Sequence, residues 1–287
     1  MDATELVKAG ATLGASFAGA GVTVGVLLKP LLEFFVKKKL GDVDADRSYR
    51  YEARKRLNAA VGPLQFQLLF ACRDLCARIE KHGRTGSDVT TLDGYYGQSM
   101  LFRILKPLVI CELIERQMAF ADFGVDEVGA VALRFNKSAI LVLSGESVIR
   151  NYPNVDWTTQ TQHVFYDSVS SATDALIVRD GENERCMRFS EFEKFIKDKE
   201  NLTRLHPFPR IIDGFKPSEK PIFWIRLVAY GFLCGEFVNK IGPAHKLGFA
   251  KRKIDVKQLL AQAADATINE NMVAFAEQCE SAAAYKL

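Results

Sequence analysis

The sequence predicts a mainly α-helical protein, in which an amino-terminal membrane helix is followed by a helical cytoplasmic domain with one or two short β elements. Two observations lead to this fold class. Apolar residues recur at helical spacing over most of the 287 residues, and a long uncharged run lies near the amino terminus. Hydrophobic residues make up 48% and charged residues 25% of the chain, which excludes collagen-like, coiled-coil and wholly disordered proteins.

The charge balance and the cysteines limit the classes of partner. With 38 Lys and Arg against 35 Asp and Glu, the net charge is +3, too balanced for a dedicated nucleic-acid binder, so we expect no nucleic-acid partner. The six cysteines form no CxxC pair and no zinc-ligand spacing with histidine. We therefore expect reduced core thiols, a cytosolic location for the main domain, no cofactor and no metal.

Residues 9–28 contain no charged side chain, which predicts a single membrane-spanning helix. At 1.5 Å per residue this run is about 30 Å long, the thickness of a bilayer core. Gly10 with Gly14, and Gly21 with Gly25, form two GxxxG pairs, which favour close packing of helices in lipid and hence a homo-oligomer. A buried or interfacial Gly-rich helix and a disordered amino terminus are the alternatives.

Basic residues follow the uncharged run, whereas acidic residues precede it. By the positive-inside rule, this asymmetry places the amino terminus outside and the main domain in the cytoplasm. Basic side chains next to a membrane attract anionic headgroups. The residues predicted to contact anionic lipid are Lys37, Lys38, Lys39, Arg50 and Arg54. A solvated helix face explains the same residues equally well.

Helical periodicity and turn residues divide the rest of the chain. We predict a membrane and juxtamembrane helix at residues 1–40, a helical subdomain at 41–150 and a second, mainly helical subdomain at 151–287, packed on the first. The first subdomain contains helices over residues 48–82, kinked or broken at Gly62-Pro63, and 95–122, interrupted at Pro107. The β-branched run at 139–143 predicts a strand, and residues 164–178 a second β element.

Five features are predicted in the second subdomain. Asp180-Gly181 predicts a turn, and Ser190 with Glu193 a helix-capping box. The apolar stretch 222–241 carries two charges, so we expect a buried or groove-lining helix and not a second membrane span. Residues 255–284 predict one amphipathic helix. The basic cluster at 245–253 suits lipid phosphate or nucleic acid, although a solvated loop is the commoner explanation.

Glu112, Glu115 and Arg116 form a possible polar site on the second helix. Carboxylates three residues apart share a helix face and could hold a proton or a metal, but such groups more often pair with an arginine. The sequence contains no phosphate-binding loop, no HExxH motif, and no serine flanked as in a nucleophile elbow. We therefore assign no catalytic residue.

Several short motifs occur in an order known from one family. They are Tyr49-x-Tyr51, Gly62-Pro63-Leu64, Asp74-Leu75-x-x-Arg78-Ile79, Glu112-Leu113-Ile114-Glu115-Arg116-Gln117, Phe120-x-Asp122-x-Gly124 and Gly145-Glu146. The chain resembles an uncharacterised family of mostly bacterial, single-pass membrane-anchored helical proteins with no assigned activity. The resemblance implies this architecture and membrane tethering. In that family the last motif has Arg before it and Gln after it, where this chain has Ser144 and Ser147, so no role of that Arg carries over.

Together these observations predict a membrane-anchored, non-enzymatic binding, scaffold or sensor protein. Its expected partners are the lipid membrane, further copies of itself and an unidentified protein or small molecule. Two alternatives come from other classes. One is an effector that permeabilises membranes by oligomerising through its Gly-rich helix, and the other is a membrane-surface enzyme that uses the Glu112, Glu115 and Arg116 side chains.

Overall fold

The computed structural model describes residues 21–85, 90–119, 127–181, 183–245 and 251–283. Contacts divide the chain into two units, Met1–Lys55 and Arg56–Leu287. The described residues form eleven α-helices and two short antiparallel strands, which confirms the predicted mainly helical class. The first half contains α1 (Gly21–Thr85), α2 (Tyr95–Met118) and α3 (Glu127–Ser144).

The second half consists of shorter elements around one long helix. They are α4 (Tyr166–Ala175), β1 (Ile177–Asp180), β2 (Asn183–Cys186), α5 (Phe189–Phe195), α6 (Lys199–Arg204), α7 (Phe208–Ile212), α8 (Pro221–Ile241), a 3₁₀ turn (Gly242–His245), α9 (Val256–Leu260), a second 3₁₀ turn (Ala261–Ala263), α10 (Ala266–Glu270) and α11 (Met272–Ala283). The long helix is α8, and it packs against α3, α9 and α11.

In the amino-terminal unit, α1 exposes its side chains from Val36 to Lys55, with Ala53 half-buried. Gly21 and Gly25 lie on this helix, whereas Gly10 and Gly14 fall outside the described residues. The predicted helix begins at Ser48, but α1 begins at Gly21. The intervening stretch is rich in good helix formers, and Asp46 pairs with Arg50 one turn later at 3.0 Å. The membrane span over 9–28 stays a prediction.

In the second unit, the buried side chains form one contiguous core. Of the six apolar residues at helical spacing that predict this helix, Leu64 is only partly buried, and the other five are buried in the core: Leu57, Val61, Leu68, Leu75 and Ile79. Helix α8 matches the expected apolar stretch and is buried along most of its length. Among the described residues only α8 is long and apolar enough to cross a membrane, and its burial accounts for that composition as core packing.

The two prolines do not break their helices, so the interruption predicted at Pro107 and the break predicted as one of two possibilities at Gly62-Pro63 do not occur. Helix α1 continues through Pro63 and α2 through Pro107. A proline removes one hydrogen bond to the carbonyl four residues earlier. For Pro63 that carbonyl belongs to Ala59, and both residues are exposed, so water can replace the lost partner.

The strand predicted at 139–143 is wrong, because these residues lie in α3. Ala139, Val142 and Leu143 are buried, while Leu141 is 40% exposed. Burial at positions i, i+3 and i+4 is the helical spacing, and Phe135 extends the same face backwards. The local β preference of Ile and Val is overridden by this packing.

The second predicted β element is displaced. Most of residues 164–178 form α4, and the strands follow as a hairpin in which Asp180 pairs with Asn183. The predicted turn at Asp180-Gly181 is confirmed, and Gly181 has a positive φ of 64°, which glycine adopts without steric cost.

Two helix boundaries also differ from prediction. The capping interaction of α5 lies two residues earlier than expected, where the Glu191 carboxylate accepts the Arg188 N–H at 2.7 Å. The single helix predicted over 255–284 is divided into α9, α10 and α11. Ala264 adopts a left-handed backbone with φ of 49°, and the Asp265 carboxylate caps α10 by accepting the Ile268 N–H at 3.0 Å.

We predict that Gly97→Ala destabilises the core unit by about 1–3 kcal/mol, because its new Cβ would lie 2.3 Å from the Thr91 carbonyl oxygen and 2.7 Å from that of Thr90. Urea unfolding would measure this. Gly235→Ala is the matched control, since its Cβ would meet only the movable Cδ1 of Ile254, at 2.9 Å. An equal decrease in the free energy of unfolding in the two variants would contradict the close approach of backbones at Gly97.

Candidate functional site

Arg116 of α2 is the centre of an ionic network. Its Nε donates to Glu112 at 2.9 Å, its Nη1 to Glu184 at 3.1 Å and its Nη2 to Asp174 at 2.7 Å. Burial lowers the pKa of this guanidinium, but the hydrogen bonds with the three carboxylates outweigh it and raise the pKa above its usual value. The network therefore joins α2 to α4 and to the hairpin.

The fold thus brings together only part of the predicted polar site of Glu112, Glu115 and Arg116. Glu112 and Arg116 are in direct contact, whereas Glu115 accepts a long hydrogen bond of 3.4 Å from Asn136 of α3. All three nitrogens of Arg116 already have carboxylate partners. This arrangement packs α2 against α4 and the hairpin, and it places a carboxylate on each nitrogen of Arg116.

The residues predicted to contact lipid lie on the exposed part of α1. Lys37, Lys38, Lys39, Arg50 and Arg54 are all exposed. Phe34 and Leu40, on the same helix, are 63% and 57% exposed. The unit therefore presents apolar and basic groups together.

The predicted basic cluster at 245–253 lies partly outside the described residues, which omit 246–250. Of the remainder, Arg252 contacts Glu80 at 3.4 Å, and its backbone N–H donates to Asn239 at 2.8 Å. Lys251 and Lys253 are exposed. A cleft of about 350 Å³ lies at this end of α1, lined by Glu80, Gly83, Arg84, Lys253, Asp255, Gln258, Leu259 and Gln262.

A different cation, Arg226 of α8, is fully buried. Its Nη1 donates to the carbonyl oxygens of Val142 and Gly145, each at 2.7 Å. These carbonyls lie at the end of α3, where helix hydrogen bonding leaves acceptors without a partner and the helix dipole is negative. Arg226 therefore caps α3 from the core.

The other nitrogens of Arg226, Nε and Nη2, have no hydrogen-bond acceptor among the described residues. No carboxylate pairs with this guanidinium in the described part of the chain. Burial lowers the pKa of Arg226 to about 10, so the group stays charged at neutral pH. An uncompensated buried charge is costly, and this makes the position unusual.

Residues 151–165, which form neither a helix nor a strand, cover this guanidinium. The Trp157 ring centre lies 5.9 Å from the Arg226 guanidinium carbon, within range of a cation–π contact. His163 lies beside Trp157, with ring centres 5.1 Å apart, and its Nε2 is buried without a partner among the described residues. Burial, and then the charge of Arg226, lower the pKa of His163.

A second cleft of about 330 Å³ adjoins the Arg226 contacts. Its lining contains Val142 and Gly145, the two residues whose carbonyls Arg226 binds, together with Glu146, Ser147 and four others: Ser138, Leu141, Ser281 and Ala282. The Arg226 site, defined here as Arg226, His163 and Trp157, thus lies next to a surface opening.

Sequence reasoning noted Arg226 only as a charge within an apolar helix. Its partners are backbone carbonyls, which no residue pattern reveals, and Trp157 and His163 lie about 60 positions earlier in a turn-rich stretch. The one available signal was the charge itself. An arginine in an otherwise apolar helix needs a specific partner.

The remaining buried titratable groups serve packing. All six cysteines are free and buried. Burial is the largest cause that raises the pKa of the Cys111, Cys234 and Cys279 thiols. Among the described residues, no group of three or more His, Cys, Asp or Glu side chains is placed to hold a metal ion.

His82 of α1 is enclosed by aromatic rings. Its ring centre lies 5.2 Å from Phe215, 5.8 Å from Trp224 and 6.1 Å from Tyr96. Burial, with a smaller contribution from the charge of Arg78, lowers the pKa of His82 to about 4.

We predict that Arg116→Met lowers the free energy of unfolding by about 1–3 kcal/mol, because three carboxylates lose a common donor. Chemical unfolding would measure the loss. Arg179→Met is the matched control. Arg179 also binds Glu184, at 3.2 Å, but its side chain is 80% exposed, so we expect less than about 1 kcal/mol. A control loss as large as that of Arg116→Met would contradict the central role of Arg116.

A second prediction concerns pH. In the unfolded chain His82 binds a proton near its ordinary pKa of 6.5, whereas in the folded chain it does so only near 4. Between these values the unfolded state holds the extra proton, so the free energy of unfolding falls by roughly 1.4 kcal/mol per pH unit as pH decreases. The free energy of unfolding, measured with urea between pH 7 and 4, should change less per pH unit in His82→Phe than in the unmodified chain. The same pH dependence of the free energy of unfolding in both proteins would refute a neutral, buried His82.

Comparison with models of known protein families, with curated proteins and with solved structures finds no match to this chain. Its function is therefore argued from its own residues.

Proposed function

We propose that the chain is a membrane-anchored, non-enzymatic binding or sensor protein, whose helical domain lies on the cytoplasmic side. The observation that carries the proposal is the change in side-chain exposure along α1. Its side chains are exposed from Val36 to Lys55 and become buried on one face from Leu57 onwards. One helix thus serves as the link between the uncharged amino-terminal run and a separate core.

The exposed part of α1 has the composition of a membrane-proximal helix. Phe34, Val36 and Leu40 are large exposed apolar residues, and they flank the consecutive Lys37, Lys38 and Lys39. Long basic side chains reach anionic headgroups while apolar ones enter the boundary of the acyl chains. This mixture explains why so much apolar surface remains outside the core.

The GxxxG pairs supply the oligomeric part of the proposal. Gly10 and Gly14, and then Gly21 and Gly25, recur at four-residue spacing within the uncharged run. In lipid, small residues at this spacing let two helices approach and pack closely. Copies of the chain would therefore associate through their spans.

The non-enzymatic part rests on the polar groups of the core. Arg116 is fully engaged by carboxylates that hold helices together. The clefts at Glu80 and at Gly145 have room for a ligand, but neither is lined by histidine or cysteine, so the serines and carboxylates of their linings have no imidazole beside them to act as a general base. Binding is the function that this arrangement favours.

We predict that the chain stays in the membrane pellet after alkaline carbonate extraction. Phe17→Arg with Ala20→Arg should move it to the supernatant, because each arginine at the centre of a span costs about 2.5–3.5 kcal/mol. Leu40→Arg, in the exposed basic stretch, is the matched control and should stay in the pellet.

Release of the unmodified chain by carbonate would refute an integral anchor.

Cross-linking in the same membranes tests the association of copies of the chain. Gly14→Leu with Gly25→Leu should reduce the cross-linked dimer without releasing the chain, since leucine is apolar but too large for close helix packing. Unchanged dimer would remove the GxxxG part of the proposal and leave the anchor intact.

A further inference from the structure

We infer that Arg226 anchors a binding site for a small carboxylate ligand, held by the Nε and Nη2 edge of its guanidinium. The inference rests on the proposed binding function in one respect only, because it names the ligand class of the core domain. Membrane attachment has its own measurement above, so the two can fail separately.

The first argument is the geometry of the guanidinium. Arginine has five donors in a flat fork, and Nε–H and one Nη2–H point in the same direction along one edge. A carboxylate accepts both in a bidentate pair. In Arg226 the opposite nitrogen, Nη1, is engaged by Val142 and Gly145, while both nitrogens of the carboxylate-binding edge lack an acceptor among the described residues.

The second argument is charge. Two carbonyls and the negative end of α3 offset part of the Arg226 charge, but no carboxylate completes the pair among the described residues. The nearby Asp156 is engaged elsewhere, since it accepts hydrogen bonds from the Thr158 N–H and the Thr158 and Thr159 hydroxyls and is exposed. A ligand with one negative charge would neutralise the site.

The third argument is the neighbouring histidine. His163 is 1% exposed, and its Nε2 has no partner among the described residues. Arg226 and His163 both contact Trp157, whose ring centre lies 5.9 Å from the guanidinium carbon and 5.1 Å from the His163 ring centre, so the two groups are near each other. A neutral imidazole can donate one N–H to a carboxylate oxygen or to a polar group beside it. Arg226 and His163 thus offer convergent donors in an apolar enclosure.

Charge and shape select the carboxylate over phosphate. One guanidinium with a neutral histidine carries a charge of +1, which a carboxylate balances. A phosphate monoester carries about −1.5 to −2 at pH 7, so it would leave a buried excess of negative charge. A flat carboxylate also matches the plane of the guanidinium fork.

Access requires local movement of the covering segment. Trp157, which contacts the Arg226 guanidinium, is 42% exposed, and Phe165, which contacts the His163 ring, is 41% exposed, so partly exposed side chains lie over this side of the site. On the other side, Val142 and Gly145 line the 330 Å³ cleft. Because the carbonyls of these two residues bind Nη1, that cleft adjoins the engaged side of the guanidinium and not the Nε–Nη2 edge.

The test uses the full chain in detergent with acetate as the probe, at constant ionic strength and pH 7.5. Acetate should raise the thermal unfolding midpoint saturably by roughly 2–4 °C, because a ligand that binds only the folded state stabilises it. It should also change the fluorescence of Trp157, one of the two tryptophans in the chain. Trp157→Phe should abolish the fluorescence change, which would assign it to Trp157 and not to Trp224.

Arg226→Lys is the decisive variant. Lysine keeps the charge and can still contact the α3 carbonyls, but it has no two-nitrogen edge, so acetate should bind at least about ten times more weakly. Arg185→Lys is the matched control, because Arg185 already makes a bidentate pair with Glu191. His163→Gln should weaken binding by a smaller factor.

Three outcomes would overturn the inference. They are the absence of a saturable acetate response, an equal response in Arg226→Lys, and a stronger response to inorganic phosphate than to acetate. The third would assign the site to a different ligand class. A shift that grows linearly with acetate and persists in Arg226→Lys would indicate a general salt effect.

Discussion

Burial of α8 is the constraint on which the rest of the core depends. Its Trp224 Nε1 donates to the Leu259 carbonyl at 2.8 Å, and its Gly231 carbonyl accepts the Cys76 thiol of α1 at 3.2 Å. Through such contacts an apolar helix long enough to cross a bilayer is packed at the centre of the core. The same burial encloses Arg226, so the helix that stabilises the domain also holds a fully buried cation that has no carboxylate partner among the described residues.

The sequence predicted the long helices because their apolar residues recur with helical spacing, as in Leu57, Val61 and Leu68 of α1. It failed where local preference and tertiary packing disagree. Ile140 and Val142 favour a strand, yet their segment lies in α3 because its buried face contacts α8. The boundaries near the carboxyl terminus were missed for another reason, since the left-handed backbone at Ala264 leaves no residue signature.

The candidate sites show the same division. Glu112 and Arg116 were predicted because they lie four residues apart on one helix, and such spacing is visible in a sequence. Their further partners, Asp174 and Glu184, come from α4 and the hairpin, which only the fold brings near. The Arg226 site has no local signature at all, because its acceptors are main-chain oxygens and its neighbours belong to another segment of the chain.

The complete burial of the six thiols makes this chain suitable for labelling at a single introduced cysteine. Thiol reagents react with the ionised form, and burial both shields these sulfurs and disfavours ionisation. A cysteine placed at an exposed position such as Leu40 would therefore be the one site to accept a dye or a spin label, with the native six left in place. Distances to the core or to the bilayer could then be measured in a chain that keeps all of its own packing.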